Sequence, residues 1–371
     1  MAVYHYTFFV WWVVTTFLSG IFVNILQFCV LPLFWLHRKS YHYLINKLSY
    51  LIYAHFTFLA EWWGDFRVHL YTRTPQVLKE LEKKNCLVVV NHRNMDWLGA
   101  WVFTEHINCT AHTRILMKYI FKFIPVFGFN IWFSEYGFLA RNWSKDKTTL
   151  QQFIDGCKGA TSPFIIALCP EGTRLSKEKI EVGQDYARAN GLPVLRHHLV
   201  PRTKGFTAIS CSLKEHINVV YDFEFAFPDA ERTTLSTLIN GGTVDGHLFI
   251  RQIPISDFKC NDEEEASAFL MKLFQEKDDC MEYFEQNQKF DAPLVPVPRK
   301  YKNLCTFIIS SIFSASVIVY VASACLQAYS KEAIVLMTCI ISSAVILTVS
   351  LSMWLTSPAK TSSFGLRKKQ N

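Results

Sequence analysis

The stretch Cys86–Trp101, CLVVVNHRNMDWLGAW, decides the fold of this chain. Its first five residues, Cys86–Val90, are apolar and rich in β-branched valine, which is typical of a buried strand. The polar turn Asn91–Asp96 follows at once, and Trp97–Trp101 predicts the start of a helix. A strand-to-helix turn at the carboxyl end of a strand is where α/β proteins place their ligands. The stretch therefore predicts an α/β core with a functional site at the end of this strand.

The polar turn contains a histidine and a carboxylate, His92 and Asp96, which are candidates for acid–base chemistry. Histidine takes up a proton near neutral pH, and a carboxylate on its other ring nitrogen fixes the tautomer and stabilises the imidazolium. The alternative is a capped helix start, in which Asn91 or Asp96 caps the helix and His92 has no chemical role. A second polar cluster further along the chain favours the catalytic interpretation.

That second cluster follows another predicted strand, Phe164–Leu168, which ends in the turn Pro170–Arg174, PEGTR. A third polar segment is Leu199–Phe206, LVPRTKGF, in which Arg202 and Lys204 surround a proline and a glycine.

Between these clusters lie Lys118, Pro125, Gly128 and Arg141. The chain thus contains, in order, an Asn-His…Asp block, a Lys…Pro…Gly…Arg block, a Glu-Gly-Thr-Arg block and a Pro-x-x-x-Gly block. In these blocks it resembles the 1-acylglycerol-3-phosphate acyltransferase (lysophosphatidic acid acyltransferase) family, and it is most similar to the eukaryotic gamma/delta branch. The resemblance covers nearly the whole chain. It implies the glycerolipid acyltransferase fold, an α/β fold with a mixed sheet flanked by helices, preceded by a membrane-embedded helical element.

The spacing of the first block departs from the family pattern. The family has four residues between the histidine and the aspartate, whereas only Arg93, Asn94 and Met95 separate His92 from Asp96. On an early-starting helix the two side chains would share one face, about 40° apart. A tight turn before the helix would also let them meet. We favour the tight turn, because the other blocks keep the family arrangement.

The resemblance implies a mechanism in which His92 is the general base and Asp96 holds it in the useful tautomer. His92 would remove a proton from the hydroxyl of a lysophospholipid while that oxygen attacks the thioester of acyl-CoA. No acyl-enzyme and no cofactor are needed, since acyl-CoA is a co-substrate with an activated acyl group. Backbone amides of the Arg93–Asp96 turn or of the Val200–Gly205 loop would stabilise the developing oxyanion.

The resemblance also implies a phosphate-binding region. Arg174 is its strongest member, because a guanidinium fork matches phosphate oxygens. Glu171 would orient Arg174 or accept a hydrogen bond from the glycerol, unless the two form only a local salt bridge worth under about 1 kcal/mol. The predicted substrate-binding residues are Lys118, Arg141, Glu171, Gly172, Thr173 and Arg174, with Arg202 and Lys204 as candidate further contacts.

The function implied by the resemblance is transfer of an acyl chain to the sn-2 hydroxyl of lysophosphatidic acid, which gives phosphatidic acid. Another lysophospholipid acceptor is an alternative. The second alternative is a protein of a different class, namely a membrane scaffold that has lost turnover through the shortened His92–Asp96 turn.

Composition supports a membrane enzyme and points away from other classes. Half of the 371 residues are hydrophobic and the net charge is +7, which suits anionic headgroups or phosphate. The sequence has no aromatic-interleaved basic stripe, Walker A loop or zinc-finger spacing, so neither nucleic acid nor a metal is expected as a partner. The eleven cysteines have no C-x-x-C pair, as in a reduced, cytosol-facing protein. No protein partner is indicated.

Apolar segments flank the globular part. Tyr6–Leu36 carries no charge and would be about 46 Å long as a helix, against roughly 30 Å of hydrocarbon, so it is tilted, broken or partly interfacial. Leu44–Trp63 is interrupted by polar residues and predicts a helix that lies on the membrane. Leu304–Ala328 and Ala333–Leu355 predict a transmembrane hairpin.

Basic residues set the expected orientation. The cluster Arg299–Lys302 precedes the hairpin, and the tail Leu366–Asn371 has two lysines placed as in a dilysine retrieval signal. Positive charge favours the cytosolic side, so the catalytic domain and the carboxyl terminus are expected to face the cytosol of a multi-pass protein in the endoplasmic reticulum membrane. The predicted domains are the membrane element 1–63, the acyltransferase domain 64–290, a proline-rich linker 291–303, the hairpin 304–355 and the tail 356–371.

Overall fold

The computed structural model describes residues 2–229 and 232–328, and the single residues 335, 338, 339 and 342. The predicted second span, Ala333–Leu355, and the dilysine tail lie outside the described stretches. The helices are α1 (Ala2–Val30), α2 (Leu33–Leu36), α3 (Arg38–Phe58), α4 (Val77–Lys83), α5 (Asp96–His106), α6 (Phe127–Phe133), α7 (Trp143–Lys158), α8 (Lys177–Ala189), α9 (Thr203–Leu213), α10 (Leu235–Ile239), α11 (Glu263–Asn287) and α12 (Lys302–Ala328). The strands are β1 (Phe66–Thr72), β2 (Cys86–Val90), β3 (Thr113–Lys118), β4 (Gly137–Leu139), β5 (Ile165–Leu168), β6 (Val219–Ala226), β7 (Val244–Ile253) and β8 (Leu294–Val295).

The eight strands form one mixed sheet in the order β4-β3-β5-β2-β6-β7-β1-β8. The first five are parallel neighbours, β7 runs antiparallel to β6, and β1 runs parallel to β7. The predicted mixed α/β sheet flanked by helices is confirmed. The first residues of β7, from Val244, pair with β1.

Strand β2 lies inside the sheet and is buried along its whole length. Successive side chains of a strand point to opposite faces, so one apolar run serves two layers. Leu87 and Val89 pack with residues of α7, α9 and α11. Cys86, Val88 and Val90 pack with residues of α4 and α5 on the other face. The continuous apolar run of β2 therefore fixes a three-layer arrangement.

The carboxyl ends of four parallel strands lie at one edge of the sheet. β2 ends before His92, β3 ends at Lys118, β4 ends before Arg141, and β5 ends before Glu171. Because adjacent parallel strands share a direction, the residues that follow them emerge side by side. We call this the catalytic edge.

The amino-terminal apolar segment is broken. Helix α1 ends at Val30, a turn covers Leu31 and Pro32, and α2 follows. Proline lacks the N–H that a continuing helix needs, which explains the break. Helix α3 contacts α1, α5, α6 and α12 and exposes only a strip of side chains one helical turn apart, namely Lys39, Tyr43, Lys47 and Leu51. The predicted membrane-lying helix is thus covered mainly by protein.

Within the part of the chain that the structure describes, two helices are long and apolar enough to cross a membrane, Val3–Val30 within α1 and Lys302–Ala324 within α12. The second overlaps the predicted span Leu304–Ala328. Length and composition are the basis for both assignments, as they were for the sequence-based expectation.

The connection between β3 and α6 contains a strained turn that the sequence did not reveal. Val126 has φ +67° and ψ −58°, and the Phe127 N–H donates to the Pro125 carbonyl at 2.7 Å, which closes a γ-turn. For a β-branched residue this backbone costs of order 1–3 kcal/mol. Val126 packs with Val23 and Ile52, so helix packing holds the turn in place.

The predicted linker 291–303 is anchored rather than free. Its residues Leu294 and Val295 form β8 and pair with Tyr71 and Leu70 of β1. At the end of the same segment, the Asn303 side-chain amide donates to Glu61 Oε2 at 2.6 Å. The proline-rich composition predicted a linker. Part of the segment forms an edge strand instead, and an edge strand tolerates proline because one of its sides needs no hydrogen-bond donors.

Candidate active site

The catalytic histidine and aspartate of the prediction lie in contact at the end of β2. His92 Nδ1 is 2.8 Å from Asp96 Oδ2. Helix α5 begins at Asp96, and His92 lies in the extended segment before it. The tight-turn alternative is therefore confirmed, and the early-helix alternative is wrong. Asp96 is also not the N-cap, which is Met95.

Exposure divides the pair into two roles. The His92 side chain is 26% exposed, whereas the Asp96 side chain is 5% exposed. Asp96 Oδ2 also accepts the Arg93 N–H at 3.1 Å, and Asp96 Oδ1 accepts the Trp97 N–H at 2.7 Å. These hydrogen bonds fix the Asp96 carboxylate. The carboxylate in turn holds the His92 ring through Nδ1, while the ring stays accessible.

Glu171 ties neighbouring loops together. Its Oε2 accepts the His92 N–H at 2.5 Å, and its Oε1 accepts the Leu199 N–H at 3.0 Å. The Leu175 N–H in turn donates to the His92 carbonyl at 3.0 Å. The buried Glu171 carboxylate thus positions the backbone of His92, and direct contact of Glu171 with substrate stays a prediction.

Gly172 and Thr173 supply the geometry of the same turn. Gly172 has φ +67°, and a Cβ there would lie 3.2 Å from the Arg202 side chain. Glycine adopts this left-handed conformation without strain. The Gly172 carbonyl accepts a hydrogen bond from Arg141 at 3.1 Å, and Thr173 Oγ1 accepts one from Lys179 at 2.9 Å.

Four cations meet at the catalytic edge, and we call them the cation cluster: Lys118, Arg141, Arg174 and Lys179. Lys118 ends β3, Arg141 follows β4, and Arg174 follows β5, which corresponds to the predicted strand Phe164–Leu168. Lys179 comes from the first turns of α8 and donates to the Arg174 carbonyl at 2.8 Å. Sequence reasoning missed Lys179, because its approach depends on the direction in which α8 leaves the turn.

Burial and neighbouring positive charge both act on the pKa values of this cluster. Burial, together with Arg141, Arg174 and Lys179, lowers the pKa of Lys118 to about 8. Burial also lowers the pKa values of Arg174, Arg141 and Lys179, with neighbouring cations adding to the effect for Arg141 and Lys179. Cations that raise one another's free energy are a suitable binding site for a polyvalent anion such as phosphate.

The two candidate further contacts lie on the loop before α9 and at its start. The Arg202 N–H donates to the Pro170 carbonyl at 2.8 Å, which fixes the loop to the Glu171 turn. Lys204 Nζ lies 5.8 Å from the ring centre of Trp143, at a distance suited to a cation–π contact. Arg202 is thus next to the catalytic edge, and the contact described for Lys204 is with an aromatic ring.

A buried ion network lies beside the site. His198 Nε2 is 2.9 Å from Glu224 Oε1, and Lys277 Nζ is 2.9 Å from Glu224 Oε2 and also bonds Asp222. The Asn91 side-chain amide donates to Glu224 Oε1 at 2.5 Å, so the network reaches the residue before His92. The sequence signal for this network was the pair of acidic residues Asp222 and Glu224 in the otherwise apolar strand β6, whose eight residues are all buried.

The network keeps its members charged. Burial opposes the charge of His198, but Glu224 and Asp278 outweigh it and raise the pKa of His198 to about 9. Burial likewise opposes ionisation of Glu224, but His198 and Lys277 lower its pKa to about 2. A paired arrangement of this kind stabilises buried charges.

One group of possible metal ligands exists among the described residues. The ligand atoms of His92, Asp96 and Cys169 lie within 4.8 Å of one another. Burial raises the pKa of the Cys169 thiol well above its ordinary value, and Asp96 and Glu171 add to the effect. A protonated thiol is a poor metal ligand, so the residues do not favour a metal here. Chemistry without a metal or cofactor stays a prediction.

Comparisons with known proteins agree with this geometry. Residues 65–220 match the family described as Acyltransferase, and residues 237–310 match the family described as Acyltransferase C-terminus. Human 1-acyl-sn-glycerol-3-phosphate acyltransferase delta is 32% identical over 304 residues, which cover 81% of this chain and 79% of the human protein. The 1-acyl-sn-glycerol-3-phosphate acyltransferase 2 of Brassica napus is 31% identical over 71% of this chain and 67% of its own.

Among solved structures, the 1-acyl-sn-glycerophosphate (LPA) acyltransferase PlsC from Thermotoga maritima matches with a TM-score of 0.42 and 14% identity, over 72% of this chain and 98% of that one. The sequence relatives are much nearer, and they confirm the resemblance seen in the four ordered blocks. With about a third of its residues identical over most of the human delta enzyme, the chain belongs to the 1-acyl-sn-glycerol-3-phosphate acyltransferase family.

Proposed function

We propose that the protein transfers an acyl chain from acyl-CoA to the sn-2 hydroxyl of lysophosphatidic acid, which gives phosphatidic acid and coenzyme A. His92 removes the hydroxyl proton as that oxygen attacks the thioester carbon. The carbon–sulfur bond then breaks, and the proton held by His92 goes to the coenzyme A thiolate. Asp96 stabilises the imidazolium between these steps.

The observation that carries the proposal is the 2.8 Å contact of His92 with a buried Asp96 at the same edge as the cation cluster. The histidine is accessible and its carboxylate is not, which suits a base that must reach a substrate oxygen. The shortened spacing was the reason for considering an inactive scaffold, and the contact supports the enzyme instead, because the two side chains meet despite the shorter turn.

The cation cluster supports a phosphomonoester acceptor. A phosphomonoester carries nearly two negative charges near neutral pH, whereas the phosphodiester of most other lysophospholipids carries one. Four cations whose pKa values are lowered gain more from the doubly charged group. The shared acyltransferase chemistry leaves other lysophospholipids as the second candidate, on the same His92 mechanism.

We also propose a multi-pass protein of the endoplasmic reticulum membrane whose catalytic domain and carboxyl terminus face the cytosol. Arg299 and Lys300 precede α12 and Lys302 is its first residue, and positive flanks favour the cytosolic side. The sequons at Asn108 and Asn142 are both exposed on the catalytic domain. Expression in a eukaryotic cell should therefore give chains that endoglycosidase does not shorten, and a glycan at either asparagine would reverse the orientation.

The decisive experiment compares wild type and His92→Ala in membranes supplied with acyl-CoA and a panel of lysophospholipids. We expect the wild type to prefer lysophosphatidic acid, and the variant to lose about 10²- to 10⁴-fold in rate. His197→Ala is the matched control, since the His197 ring contacts Glu282 on α11. Activity of His92→Ala within a few-fold of wild type would remove His92 from the mechanism.

A further inference from the structure

The segment between Lys118 and Phe133 exposes an unusual set of apolar side chains. A 3-10 turn covers Tyr119–Phe123, and α6 follows after the γ-turn. Between them they expose five large apolar side chains to fractions of 40–59%: Tyr119, Ile120, Phe123, Phe129 and Trp132. We call these five the aromatic face. Exposed apolar residues scattered singly are ordinary, but five within fourteen consecutive residues, with the rings of Tyr119 and Phe123 in contact, indicate a binding surface.

The fold holds the aromatic face in position. Ile131 and Phe133, on the other side of α6, are buried in the protein. A Cβ at Gly128 would lie 2.1 Å from the Lys122 carbonyl, so α6 and the 3-10 turn are in direct backbone contact. The strained γ-turn at Val126 packs against α1. Strain that packing maintains points to a required position rather than to a loose loop.

The aromatic face continues the apolar surface of α1. The rings of Phe28 and Phe129 lie with centroids 5.5 Å apart, and both side chains are about half exposed. Ile25, one helical turn before Phe28, is exposed as well. Since α1 is a candidate membrane span, the two exposed surfaces face the same surroundings.

We propose that the aromatic face lies in the interfacial layer of the lipid bilayer and sets the height of the catalytic edge above the membrane. Tyrosine and tryptophan favour this layer because each has an apolar ring and a polar tip. Lys122, in the same 3-10 turn, supplies a cation for anionic headgroups. A second protein would not explain the continuity with α1.

The position of Lys118 gives the surface a role in substrate capture. Lys118 immediately precedes Tyr119 and belongs to the cation cluster. A membrane contact at Tyr119–Phe123 therefore brings the cluster to the level of lipid phosphates, while the acyl chain of the acceptor stays in the bilayer. This step rests on the proposed function, whereas the membrane contact itself does not.

The contact is tested by photo-cross-linking the full chain in vesicles of phosphatidylcholine with a minor fraction of phosphatidylserine. The photoreactive residue p-benzoylphenylalanine replaces Phe123 in one variant. In the matched control it replaces Tyr186, an exposed aromatic on α8. We expect a lipid adduct at position 123 and none at position 186. An adduct to a second copy or to another protein, or equal lipid labelling at both positions, would overturn the proposal.

The role in capture is tested separately by kinetics with the double variant Phe123→Ser, Phe129→Ser. Loss of two interfacial rings should raise KM for long-chain lysophosphatidic acid in vesicles about tenfold. KM for a short-chain, water-soluble analogue should change less than about twofold, and Tyr186→Ser should change neither. Equal losses with both acceptors would contradict the role in capture. An inactive wild type would end the proposed function and leave the cross-linking result interpretable.

Discussion

The cation cluster and the buried ion network lie close together and treat charge in opposite ways. In the network, cations alternate with carboxylates, and the pKa of His198 is raised while that of Glu224 is lowered. In the cluster, cations face other cations, and the pKa values of Lys118, Arg141 and Lys179 are lowered. The first arrangement stabilises the fold by itself. The second gains its stabilisation when an anion binds.

The difference offers a criterion for distinguishing structural from functional charges in this fold. Both regions contain buried or half-buried basic residues, so burial alone does not separate them. The balance of causes behind each pKa shift does. In the network, ionic partners outweigh burial and favour the charged form, whereas in the cluster burial disfavours the charged form and neighbouring cations add to it for Lys118, Arg141 and Lys179. Predictions about stability should therefore hold for the network, and predictions about substrate affinity for the cluster.

The largest expected effect is on stability. Lys277→Met removes the cation that the buried Asp222 and Glu224 share and leaves Arg251 with Asp222 and His198 with Glu224, so it should destabilise the protein by the lower part of about 3–5 kcal/mol. Thermal unfolding of detergent-solubilised protein measures the loss. Lys272→Met on the same helix is the control. Lys272 is exposed, and the substitution removes only a surface ion pair in which Lys272 Nζ lies 3.9 Å from Glu276 Oε1. Equal unfolding temperatures for wild type and Lys277→Met would contradict a structural role for the buried ion network.

The next effect is on acceptor affinity. Arg174→Ala should raise KM for lysophosphatidic acid about tenfold to a hundredfold, because a charged hydrogen bond is worth about 1.5–3 kcal/mol. KM for acyl-CoA should stay within about twofold. Arg188→Ala, an exposed arginine of α8, is the control. A rise of the same size for both substrates would assign Arg174 to structure or to the phosphates of coenzyme A.

A pH profile tests Lys118 directly. With a pKa of about 8, Lys118 is charged below that pH and loses its proton above it. KM for the acceptor should therefore rise with pH above about 8, by up to about tenfold per unit. Lys118→Arg keeps its charge and should abolish this rise. If both proteins show the same alkaline limb, another group is responsible.

The smallest expected effect concerns the residue that sequence reasoning missed. Lys179→Met should raise KM for lysophosphatidic acid about threefold to fivefold, the range of a partly exposed ion pair. Lys177→Met, two residues earlier and exposed, should leave KM unchanged. If both variants behave like wild type, the cluster consists of three cations.

The sequence was sufficient where local pattern dominates. The predicted bounds Cys86–Val90 match β2, because a fully buried apolar run between polar turns has one interpretation. His92 and Arg174 lie in turns that follow the predicted strands Cys86–Val90 and Phe164–Leu168, and parallel neighbours of this kind end side by side. The approach of Lys118 and Arg141 to the same edge depends on the order of the strands in the sheet.

What the sequence could not give depends on tertiary contacts. Lys179 reaches Thr173 only because α8 turns back over the preceding loop. The γ-turn at Val126 contradicts the preference of valine and exists because α1 and α3 hold it. The pairing of Leu294 and Val295 with β1 spans more than two hundred residues, and no local pattern announces it.

That short strand has a consequence for anyone who wishes to express a soluble form of the catalytic domain. Cutting the chain in the proline-rich stretch before α12 would remove β8 and uncover the edge of β1. It would also remove Asn303, which bonds the buried Glu61, and the unpaired edge would invite aggregation. A shortened protein that ends just after Asn303 keeps both contacts and leaves out most of the apolar helix.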